Sequence, residues 1–136
     1  MGLIDVLRRR FFHRYTRIQS PPALYYIVYA ATGCRNIYIP DQHLDFTTDE
    51  LFDQLYTDYE NIQNPLWDCD DRARSLWCHV RNEALTKYRK NLAFGMLWTE
   101  RHALCLYVTP ETEVRFIEPT NGRPTIVHSR VRFVIF

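Results

Sequence analysis

Four short apolar runs, at 94–98, 102–108, 114–118 and 131–136, follow one another down the last third of the chain, with Pro110 and Gly122 marking turns between them. Runs of this length, rich in Val, Ile, Leu and aromatic residues and closed by turn residues, read as strands joined by hairpins. The segments before them carry helical rather than alternating spacing. A chain with helices first and an antiparallel sheet afterwards points to an α+β domain. At 136 residues, one compact domain over 1–136 accounts for the whole sequence, with a core large enough to need no crosslink.

The helical segments can be placed by their apolar stripes. Leu3, Leu7, Phe11, Tyr15 and Ile18 recur at helical intervals, and Arg8, Arg9, Arg10, Arg14 and Arg17 accompany them. This predicts a basic amphipathic helix over 1–20. It either packs by its apolar stripe with the arginines in water, or offers a protein partner or assembly a docking surface. Pro21-Pro22 ends it. The run 23–31 fits a buried helix or a strand, and Gly33 stops it. Residues 37–39 read as extended. Thr47-Thr48-Asp49-Glu50 has the form of a capping box with Thr47 as the N-cap, opening a helix through Leu51, Phe52, Leu55, Tyr56 and Tyr59. A loop follows at 61–67, and then a helix from about 68 to 90 with Ala73, Leu76, Trp77, Val80, Ala84, Leu85 and Tyr88 on one face.

Charge and cysteine usage narrow the function classes. The net charge of +1 argues against a uniformly basic nucleic-acid binder. It conceals ten acidic and no basic residues between Asp41 and Asp71, so the remainder carries +11. The longest apolar run is far short of the roughly 20 residues a membrane span requires, which predicts no membrane partner. Cys34, Cys69, Cys78 and Cys105 form no C-x-x-C pair, which argues against a zinc ribbon or redox motif. With no secretory signal at the start, they read as reduced thiols in a cytoplasmic setting, or in a virion if the chain is phage-encoded. Cys34, Cys78 and Cys105 read as core or half-buried thiols.

Cys69 stands apart. It falls in the first turn of its helix, where unpaired N–H groups and the helix dipole favour a thiolate. Asp68, Asp70 and Asp71 oppose that charge unless a cation neutralises them, and clustered carboxylates suit a hard ion such as calcium. On the strands, His102 alternates with Leu104, Leu106 and Val108, and Glu118 with Val114 and Phe116. Pairing Leu106 with Val114 and Leu104 with Phe116 sets His102 directly opposite Glu118 on the same face. A cysteine, a histidine and a carboxylate then supply a nucleophile, a base and an orienting group. The order of these groups resembles that of papain-like enzymes, and Gln63, six residues before Cys69, lies where such enzymes keep an oxyanion-stabilising amide.

Three short motifs in order, Cys69-Asp70-Asp71, His102-Ala103 and Ile117-Glu118-Pro119, give a resemblance to a known family. Over roughly 66–122 the chain resembles the C-terminal protease domain of the fairy-ring mushroom agglutinin and its short bacterial and phage relatives. It departs from them at Arg72, where they often carry an aromatic residue, and at Thr120-Asn121, where they usually continue with Gln. The resemblance implies a papain-like fold and a calcium-dependent peptidase acting on a peptide substrate. Cys69 would be its nucleophile, His102 its base and Glu118 its orienter, with Asp70 and Asp71 near the metal. The alternative is a noncatalytic structural or adaptor protein of a phage particle that uses the same fold as a scaffold.

Overall fold

A computed structural model describes residues 17–18, 21–59 and 64–136. In chain order the elements are β1 (Arg17–Ile18), α1 (Pro21–Thr32), β2 (Ile37–Tyr38), β3 (Leu44–Asp45), α2 (Asp49–Tyr59) and α3 (Cys69–Tyr88). Then come β4 (Phe94–Thr99), β5 (Ala103–Val108), β6 (Val114–Glu118), β7 (Arg123–Pro124) and β8 (Val131–Ile135). The predicted helix over 1–20 lies outside the described residues except at Arg17–Ile18. Those two form a strand antiparallel to β3 instead.

The ambiguous run after Pro21-Pro22 is helical. Leu24 and Val28, one turn apart, are fully buried, while Tyr26 on the other side is exposed. Gly33 ends α1 at φ 69°, its N–H donating to Tyr29 O at 2.8 Å, a left-handed cap that costs a residue without Cβ nothing. The next helix starts one residue later than its sequence motif implies. Thr48, not Thr47, caps α2, its Oγ1 accepting from Leu51 N at 3.1 Å. Thr47 is instead drawn into the core, where its N–H donates to Val108 O, and among the described residues its Oγ1 has no hydrogen-bond partner. Tertiary pairing has overridden the local motif.

The main sheet has the order β2-β8-β4-β5-β6-β7. It is antiparallel except for β2, which runs parallel to β8, so the expected antiparallel sheet is in fact mixed. Helices α2 and α3 cover one face, where Phe52, Leu55, Ala73, Leu76, Val80 and Ala84 meet Phe94, Cys105 and Tyr107. A second apolar cluster joins Leu24 and Val28 of α1 to Leu104, Leu106, Val108 and Val134 on the other. All six residues of β5 are buried, as a central strand covered on both sides requires.

The pairing of β5 with β6 differs from the predicted one by two residues. Leu106 faces Phe116, and Val108 faces Val114. The reason is the turn. Thr112 N donates to Thr109 O at 2.8 Å, which puts Pro110 second in a four-residue turn. Proline's fixed φ suits that position and disfavours the next, where the predicted register would have placed it. Thr112 follows at φ 63°, and Thr109 N donates to Glu113 O at 2.9 Å to close a three-residue loop. Because the shift is two residues and not one, every side chain keeps its face.

Candidate active site

Helix α3 begins where its acidic run can cap it. Asp68 Oδ1 accepts from Asp71 N at 3.0 Å, and Asp71 Oδ2 accepts from Asp68 N at 3.4 Å, a reciprocal capping box. Cys69 is therefore the first helical residue. Position N1 has no intrahelical acceptor for its N–H, so that donor is available to a ligand. The loop leading in is pinned by Arg72, whose Nε donates to Trp67 O at 3.2 Å.

The three aspartates are already engaged. Besides the capping box, Asp71 Oδ1 pairs with Arg74 at 2.6 Å, and Asp70 Oδ1 accepts from Trp98 Nε1 at 3.1 Å. Among the described residues no three His, Cys, Asp or Glu side chains come together as a metal-holding group. The visible work of Asp68, Asp70 and Asp71 is to start the helix and, through Trp98, to fasten it to β4.

His102 stands at the entry to β5, next to a two-residue connection from β4. Thr99 and His102 close that hairpin, with Thr99 N donating to His102 O at 2.8 Å. Thr99 Oγ1 also accepts from the N–H groups of Arg101 and His102, which holds the backbone on either side of the imidazole. Glu118 ends β6. The hairpin register sets it opposite Leu104, so it meets His102 diagonally, and the ring is long enough to reach it: His102 Nε2 lies 2.8 Å from Glu118 Oε2. Glu118 Oε1 accepts from Thr120 N at 3.2 Å and Thr120 Oγ1 at 2.9 Å. The strand then turns at Gly122, whose φ of 69° and contact with the Tyr56 ring leave no room for a Cβ. Gly122 N donates back to Glu118 O at 2.8 Å.

Cys69, Asp70, Trp98, Thr99 and His102 line one cleft of about 250 Å³ at this end of the sheet. The structure therefore brings Cys69 and His102 to a common opening, although they belong to different layers, while Glu118 meets the ring from a neighbouring cavity. The thiol itself turns to its own neighbour, with Sγ 3.8 Å from Asp70 Oδ1. Gln63 lies outside the described residues. The other cysteines sort by burial. Cys105 is fully buried, with Sγ 3.3 Å from Ala73 O, and burial pushes its thiol strongly up. Cys34 is buried as well, whereas Cys78 is exposed and not half-buried as expected. Thr99 and Thr120 escaped the reading of the sequence as site residues. The one cue was the position of each threonine beside a turn, where its hydroxyl competes for backbone donors.

Partial burial raises the Glu118 carboxyl, but the hydrogen bonds from His102 and Thr120 more than offset it, and the net effect is a lowered pKa. A carboxylate depressed in the folded state contributes stability that is present above its ordinary value, near 4.5, and is lost as pH falls through the depressed value. Urea midpoints are therefore expected to fall below about pH 4.5, and Glu118→Gln to flatten part of that decline. An unchanged acid limb in the variant would show that the His102–Glu118 pair contributes nothing to it.

No family model matches the sequence, and no curated protein matches it. Among solved structures, one described as "PSL1a-E64 complex" superimposes with a TM-score of 0.74 at 19% identity, covering 87% of this chain and 50% of that chain. The fold is papain-like. This chain spans about half the length of the structure it matches. Among the described residues no helix is long and apolar enough to cross a membrane.

Proposed function

We propose that this chain is a papain-like cysteine peptidase, or a related acyl-transfer hydrolase, with Cys69 as nucleophile, His102 as general base and Glu118 as the residue that positions the imidazole. The observation that carries the reading is the 2.8 Å contact between His102 and Glu118 beside the cleft that also holds Cys69. The fold likeness to a structure holding E64, an inhibitor of cysteine proteases, supports it. So does the resemblance of the three short motifs to the mushroom agglutinin protease domain.

The chemistry follows from the hydrogen bonds. With Glu118 ionised, the neutral ring donates Nε2–H to it, which leaves the Nδ1 lone pair as the base. Rotation of the Cys69 side chain from Asp70 toward the ring lets Nδ1 take the thiol proton, and the carboxylate stabilises the imidazolium that results. The thiolate attacks a substrate carbonyl. The negative charge that develops on its oxygen faces the Cys69 N–H at the start of α3, where the helix dipole also favours an anion. The imidazolium then gives its proton to the leaving amine, and water, deprotonated by the same ring, releases the acyl group.

The test is selective inactivation. A thiol-directed epoxide such as E64 is expected to label Cys69 and to spare Cys34 and Cys105, which are buried, and to modify exposed Cys78 only at the rate of a simple thiol. Mass-mapped labelling at equal rates on Cys69 and Cys78 would sink the proposal. The calcium dependence that the resemblance implies is tested in the same assay: a Cys69 labelling rate that falls with EGTA supports an ion at Asp70 and Asp71, and an unchanged rate speaks against it.

A further inference from the structure

A second concavity lies on the same end of the sheet. Its walls are the turn after α1, Gly33 to Asn36, and the start of β8, Arg130 to Arg132, and they enclose an open space of about 620 Å³. Three arginines line it, and among the described residues no carboxylate does. Arg35, Arg130 and Arg132 are all exposed at its rim. Arg132 is engaged, its guanidinium 2.7 Å from Glu100. That pair also ties the two concavities together, because Glu100 lines the cleft that holds Cys69 and His102. The register agrees: Val131 pairs with Thr99, and Thr99 closes the hairpin that presents His102. From β8 across β4 to β5 is two strand spacings, about 10 Å, or roughly three residues of extended peptide.

The polarity across this end of the molecule is therefore asymmetric. The start of α3 is acidic, with Asp68, Asp70 and Asp71, while the β2/β8 side presents guanidinium groups against a single neighbouring carboxylate. Arginine's planar fork favours carboxylates over neutral amides. We propose that this cavity is a subsite that holds an acidic side chain of a peptide substrate, about three residues along the substrate from the segment beside His102. The inference rests on the peptidase reading of the cleft and adds to it the class of substrate and its direction across the strands.

Binding and chemistry can be tested apart. In the Cys69→Ala chain, a fluorescent capped peptide with three consecutive glutamates is expected to bind about tenfold more tightly than its glutamine counterpart at low salt. The double substitution Arg35→Ala/Arg130→Ala is expected to remove that preference, with Arg132 left to keep its pair with Glu100. Equal binding of the two peptides, or a preference that survives the double substitution, overturns the subsite. So does a single-stranded oligonucleotide that outcompetes the glutamate peptide and is itself lost with the same two arginines. Labelling of Cys69 by E64 reports separately on the peptidase reading. If Cys69 fails to label while the glutamate preference holds, the catalytic reading falls and the anion-binding cavity stands.

Discussion

Cys69→Ala is expected to reduce hydrolysis of a fluorogenic casein to background, and His102→Ala to reduce it by about 10² to 10⁴-fold. Both side chains lie at the rim of the cleft and not in the core. His102 is 38% exposed, and Cys69 is partly exposed at a helix start. The fold is therefore expected to survive, with far-UV circular dichroism and Tm close to those of the parent. That separation matters because Cys105 would behave in the opposite way. Its sulfur is sealed between α3 and β5 against Ala73 O, so Cys105→Ser is expected to cost stability without touching labelling at Cys69. Glu118→Gln should fall between the two, since the amide can still accept from Nε2 but cannot stabilise an imidazolium. Activity retained in Cys69→Ala would end the role of Cys69 as nucleophile, whereas a parent chain with no activity and no selective labelling would favour the scaffold alternative.

The second large effect concerns the frame that holds the site. Arg81, on α3, has its guanidinium largely out of water. It reaches Phe94 O at 3.2 Å, Asn91 Oδ1 at 2.7 Å and Asp41 Oδ2 at 3.0 Å. Burial lowers its pKa, and Asp41 works against that shift. Asn91 in turn donates its backbone N–H to Asp45 and its side chain to His43 O and Asp41. One side chain therefore joins α3, the start of β4 and the 41–45 loop. Arg81→Ala is expected to cost about 3 kcal/mol, the lower end for a broken buried pair, because half-exposed Asp41 can rehydrate. In thermal melts this corresponds to a Tm lower by roughly 10 °C. Asp41→Asn should cost much less, since it keeps a polar partner. A drop of only a degree or two in Arg81→Ala would show that water replaces the guanidinium without loss.

The same network gives part of the acidic stretch between Asp41 and Asp71 its role. In the fold Asp41 and Asp45 belong to the Arg81–Asn91 tie. Asp49 accepts from Tyr107 at 2.6 Å and from Arg115 at 3.3 Å. Their partners lie 40 to 66 residues away in the chain, beyond the reach of any local pattern.

What the sequence determined was local. The stripe from Ala73 to Ala84 made α3, the acidic residues around Cys69 started it, and the alternation in β5 and β6 assigned His102 and Glu118 to one face. These follow from helical and strand periodicity and from capping chemistry, which operate over a few residues. Tertiary structure decided the rest. It made α1 a helix, where periodicity allowed either form, because Leu24 and Val28 had a sheet face to cover. The β5–β6 register, by contrast, was legible in the place of Pro110 in the turn, which lets His102 reach Glu118 diagonally. Tertiary structure moved the α2 cap from Thr47 to Thr48 by pairing Thr47 with Val108. It also brought a helix start and a strand end to one cleft, since only the packing of α3 on the sheet fixes the distance between residues 33 positions apart.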